Sequence, residues 1–102
     1  MTNILTSAEA ANALRTTTTD PAMLDLLPQV DAYINNATGR DWTADQPIRP
    51  EAKSAARMLL VMWHEAPGMI GQGITSLPFG LAAALCQLES VALELAELEE
   101  EA

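Results

Sequence analysis

Pro21, Pro50 and Pro78 each stand at the head of a stretch whose apolar residues recur at spacings of four and three, and this constrains the fold more than any other feature of the chain. Proline fixes φ near the helical value and lacks an amide that the first helical turn leaves unpaired in any case, so it suits the start of a helix. After Pro21, the residues Met23, Leu27, Val30, Ile34 and Ala37 make one stripe. After Pro50, Ala52, Ala55, Leu59, Met62 and Ala66 make a second, broadened by Met58 and Trp63. After Pro78, Ala84, Leu88, Val91, Leu95 and Leu98 form a heptad-like seam flanked by Leu81, Leu85 and Ala92. Stripes of this period are the buried faces of helices.

The punctuation between the stripes sets their limits. Thr6-Ser7-Ala8-Glu9 fits a capping box, in which the Thr hydroxyl and the Glu carboxylate each take the other's unpaired amide, and predicts a first helix from Ser7 to Arg15. The β-branched run Thr16 to Thr19 stops it, and Asp20 before Pro21 supplies the next cap. Pro28 is expected to kink the second helix or split it into a short turn and a main segment from Pro28 to Thr38, because it lacks an amide and crowds the preceding turn. Gly39 suits a left-handed helix end. The stretch from Arg40 to Arg49 reads as a loop attached to the core through Trp42, and Pro67-Gly68 closes the third helix.

Gly68, Gly71 and Gly73 then mark a glycine-rich loop at 67–77, of a kind that orders on meeting a partner. Leu77-Pro78-Phe79-Gly80 follows as a helix opening, with Phe79 expected to plug the start of the last helix into the core. The expected fold is all-α: a small bundle of about four helices in a single domain over residues 1–102, with a long C-terminal helix and the glycine-rich loop before it.

Composition agrees. The chain has 102 residues, 49% of them hydrophobic, but only Tyr33, Trp42, Trp63 and Phe79 are aromatic. A core of Leu, Met, Ile, Val and Ala favours packed helices over a β-sandwich. No apolar run approaches a membrane span and no positive charge precedes Arg15, so neither a transmembrane helix nor a secretory signal is expected, and the chain reads as soluble and intracellular. The single cysteine, Cys86, excludes an internal disulfide, and its neighbours Ala84, Leu85 and Leu88 suggest a small buried thiol.

Charge is uneven. The first 57 residues hold all five bases (Arg15, Arg40, Arg49, Lys53 and Arg57) against seven acids, a net of −2, while the remaining 45 carry seven acids and no base. That balance excludes wrapping nucleic acid by phosphate neutralisation, which needs clustered Lys and Arg. Glu97, Glu99, Glu100 and Glu101 form an acidic C-terminal extension, part of a helical segment at 89–102. Carboxylates there oppose the helix dipole, so the end either frays in solvent or meets a basic partner. Leu95, Glu97, Leu98, Glu99, Glu100 and Glu101 are the candidate partner interface.

Catalytic chemistry finds little support. His64 is the only histidine and sits in a helical pattern between Trp63 and Glu65, with no second acid-base group at a diagnostic spacing. Ser76 and Ser90 lack a nucleophile-elbow context, and the glycines lack the Lys-Ser/Thr of a phosphate-binding loop. Consecutive helical glutamates diverge and cannot converge on a metal. No catalytic residue, cofactor or metal ligand is assigned.

Four segments in order resemble the small head-tail connector, or adaptor, proteins of long-tailed bacteriophages. They are Leu5-Thr6-Ser7-Ala8-Glu9-Ala10 with Ala13-Leu14-Arg15; Tyr33-Ile34-Asn35-Asn36-Ala37-Thr38-Gly39-Arg40; the Ala- and Leu-rich stretch from Pro50 to Glu65; and Leu77-Pro78-Phe79-Gly80. The resemblance covers roughly residues 4 to 88. It implies a non-catalytic structural protein of the virion, made in the host cytoplasm and placed at the head-tail junction. Its partners would be copies of itself in a dodecameric ring, the portal protein above, and a stopper or tail-completion protein below. DNA would pass through the ring without sequence-specific binding, and no membrane is involved. Ala66-Pro67 and the acidic rather than Arg-containing ending depart from the family's pattern. An acidic helical inhibitor that mimics DNA is the alternative that the net charge of −9 allows.

Overall fold

The computed structural model describes residues 3–45, 47–66, 68 and 79–101. It is an all-α bundle of four helices: α1 (Ser7–Leu14), α2 (Pro21–Thr38), α3 (Pro50–Glu65) and α4 (Phe79–Glu101), with a 3₁₀ turn at Trp42–Ala44 between α2 and α3. No strand occurs among the described residues. Leu77 and Pro78, and the glycine-rich loop apart from Gly68, lie outside them. α4 is described from Phe79 onward.

The first two helices begin where their capping chemistry dictates. The Thr6 hydroxyl accepts the Glu9 amide at 3.1 Å while the Glu9 carboxylate accepts the Thr6 amide at 2.9 Å, a complete capping box. α1 ends one residue earlier than expected, because Arg15 is the left-handed cap (φ 56°) rather than its last helical residue. Asp20 caps α2 by accepting the Ala22 amide, with Pro21 in the first turn. Gly39 closes α2 at φ 77°, a backbone conformation that costs a side-chain-bearing residue about 1 kcal/mol.

Pro28 neither splits nor ends α2, which runs through it for 18 residues. The missing amide would have bonded the Leu24 carbonyl, and both Pro28 and Leu24 face solvent. Water can serve that carbonyl, so the helix continues.

α3 packs on α1, α2 and α4, and α4 also packs on α2. The core joins Met23, Leu26, Leu27, Val30 and Ile34 of α2 to the buried line of α3 and to Leu81, Leu85, Leu88 and Ala92 of α4. Ile4, Leu5 and Trp42 complete it from outside the helices. Along α3 the buried side chains grow, from Ala52, Ala55 and Ala56 near the start to Leu59, Leu60 and Trp63 near the end. Tyr33 meets Trp63 edge to face, with ring centroids 5.3 Å apart.

Several residues leave the stripes assigned to them. Ala37 is exposed, Met58 is 38% exposed and Leu98 is 61% exposed. Cys86 is exposed rather than buried. The buried line of α4 is 81, 85, 88 and 92, and a residue one position beyond 85 is turned about 100° away from it. No described helix is long and apolar enough to cross a membrane.

Candidate functional site

Two polar clusters fasten the ends of the chain to the bundle. The first begins with Gly39, whose left-handed turn directs the chain out of α2. Arg40 follows and is bound on several sides. Its Nη2 donates to Asp45 at 2.7 Å, its Nη1 donates to Glu99 of α4 at 3.1 Å, and its guanidinium lies 5.6 Å from the Trp42 ring centroid. The Asp45 carboxylate, and then Glu99, stabilise the charged guanidinium and raise its pKa further.

The Trp42 indole is itself positioned by α2. Its Nε1 donates to the Thr38 hydroxyl at 2.8 Å, and that hydroxyl donates to the Ile34 carbonyl at 2.7 Å. The Trp42 amide donates to Asn35 at 3.2 Å, and Asn35 in turn donates to Asp41. Asp41 caps the 3₁₀ turn by accepting from the Thr43 hydroxyl and amide, which hold its carboxyl below the usual range. Arg40 Nε and Asp45 Oδ2 are buried without a hydrogen-bond partner among the described residues.

The second cluster holds the N-terminal segment. The Ile4 amide donates to the Asp31 carboxylate at 3.1 Å, and the Ile4 carbonyl accepts from Lys53 Nζ at 3.0 Å. The same ammonium donates to Glu9 at 2.6 Å. Side chains of α2 and α3 thereby satisfy both backbone groups of a buried residue, as burial requires. Burial lifts the Asp31 carboxyl to about 6 from its ordinary 3.8, with the Asp41 charge adding to the effect and the Ile4 hydrogen bond opposing it. The bond to Lys53 holds Glu9 below its ordinary value.

The predicted partner interface is only partly free. Leu95 packs against the core and Glu99 is engaged by Arg40. Glu97 and Leu98 are exposed, and Glu100 and Glu101 lie in the last turn of α4. Gly80 is exposed at the start of α4, with open space where a Cβ would stand. Sequence reasoning pointed to Leu93 to Leu98 for contact with another chain, and Leu93, at 62%, is the most exposed large hydrophobic residue among those described. Sequence reasoning missed the surface groove of about 530 Å³ that Arg57, Met58, Val61, Met62 and Glu65 of α3 form with Gly80 and Leu81 of α4. Met58 continues this groove into a second one shared by Pro50, Glu51, Ser54, Ala84 and Gln87.

Among the described residues no group of His, Cys, Asp and Glu could hold a metal ion. His64 sits half-buried in the last turn of α3. The arrangement offers apolar grooves, an acid-rich helix end and a fastened Arg40, which are means of association. No family model, curated protein or solved structure matches the chain.

Proposed function

We propose that this chain is a non-catalytic structural subunit of a phage head-tail connector. It would assemble as a ring beneath the portal, extend the DNA channel and present a docking surface to the next head-completion or tail protein. The reading is supported by the Arg40 cluster. The segment from Tyr33 to Arg40, which carries part of the resemblance to connectors, supplies Asn35, Thr38, Gly39 and Arg40 to it, and Arg40 ties down α4 through Glu99. A helix held in this way can present an acidic end to a partner. The net charge of −9 suits a passage that must not bind the phosphates of its cargo.

A DNA-mimicking inhibitor would spread its acids over one surface, whereas here they gather toward the end of α4. Incubating the purified protein with filled, tailless capsids and imaging them by electron microscopy tests the proposal. Extra ring density beneath the portal is expected. Capsids that acquire none would overturn the reading.

A further inference from the structure

We infer that successive copies join through Leu93 and Glu97 of one copy's α4 seated in the Met58 groove of the next, beside Arg57. The inference rests on the ring reading above and names the contact that would build the ring. Leu93 and Glu97 lie one helical turn apart on the side of α4 turned away from its buried line. The groove lies on another face, along the seam between α3 and the start of α4.

Each half lacks what the other offers. Met58 is 38% exposed in the groove, and Leu93, at 62%, is the large apolar side chain most open to water among those described. Arg57 on the groove wall makes no ion pair among the described residues, and neither does Glu97. Charge also sets the direction of docking. Glu65 lines the end of the groove near Gly80, whereas Glu51 at the Pro50 end is already paired with Arg49 at 3.0 Å, so the acidic tip of the incoming helix points toward Pro50.

The two patches face different ways, so a pair of copies fills one groove and leaves another groove and another Leu93 unused. A contact of this head-to-tail kind adds copies until rotation closes a ring. A twofold dimer would leave no such ends.

The test uses the full chain in a Cys86→Ser background. Met58→Cys and Leu93→Cys copies are mixed under mild oxidation, and sedimentation follows the association of Arg57→Glu and Glu97→Arg chains separately and together. The contact predicts a mixed 58–93 disulfide in excess of either like pair. It also predicts association about tenfold weaker for each charge reversal alone and recovered on mixing the two. Oligomers that form without the mixed disulfide and ignore Arg57→Glu would overturn this contact and leave the ring reading standing. Chains that stay monomeric and give no cross-link, with or without capsids, would overturn both. Thermal melts of the four variants that match the parent exclude misfolding as the cause.

Discussion

Arg40 and Glu99 stand 59 positions apart in the chain and 3.1 Å apart in space, and this pair is the outermost tie between α4 and the rest of the bundle among the described residues. Glu99 is 68% exposed, so the bond contributes only a few tenths of a kcal/mol to overall stability. Its effect is local. Glu99→Gln should leave the melting temperature within error while hydrogen exchange over 95–101 speeds up several-fold. Arg40→Ala should cost about 1–2 kcal/mol in addition, because it strips the half-buried Asp45 of its partner. Unchanged exchange in both variants would show that the pair restrains nothing.

Asp31 makes stability depend on pH with a definite sign. Its folded carboxyl titrates near 6 and its unfolded one near 3.8, so the folded state holds the proton more tightly. The group's contribution is full below the lower value and is lost as pH rises through the higher. Asp31→Asn keeps an oxygen for the Ile4 amide and never ionises. Unfolding free energies from urea titrations of the two proteins should coincide near pH 3 and differ by about 3 kcal/mol in favour of the variant at pH 7. A separation of the opposite sign, or none, would contradict the account.

Lys53→Met removes the donor shared by the Ile4 carbonyl and Glu9. The loss should be about 1 kcal/mol at pH 7, most of it from the carbonyl left without a partner. Glu9 is held below its ordinary 4.5 by Lys53, so its part of the stabilisation is full above that value and disappears as pH falls through the lowered one. The gap between parent and variant should therefore narrow in acid. Paired denaturation curves at pH 7 and pH 3 measure it.

Pro28→Ala supplies α2 with the amide that the Leu24 carbonyl lacks. Both positions face solvent, so nothing in the core is disturbed. A gain of about 1 kcal/mol, or roughly 5 °C in melting temperature, is expected. A loss would mean that the proline serves the fold in some way its surroundings do not show.

These residues also mark where the sequence could be read. Capping signals were legible because they are local. Thr6 with Glu9, Asp20 with Pro21, and Gly39 act within a turn of their own positions, and the start of α1 and both ends of α2 follow them. Stripes were legible only in part. Leu26 and Leu60 were missed because a helix buried between several neighbours hides more than one line of side chains. Asp31 and Thr38 escaped because they are polar, although they continue the spacing of Leu27 and Ile34 along the buried face of α2. The Ile4–Lys53 and Arg40–Glu99 ties span 49 and 59 positions, and no local pattern encodes such pairings. Cys86 was misplaced because apolar neighbours in sequence are not neighbours around a helix.

The growth of side chains along α3, from three alanines to Leu59, Leu60 and Trp63, gives the buried face of this helix a narrow end and a broad one. Such a face is a wedge, like a stone cut for an arch. In a closed circle of such stones the taper sets the curvature, and the alanines are where it is cut. If the chain closes into the ring proposed above, exchanging Ala52 or Ala55 for a larger residue would square the block and change the number of copies needed to close it.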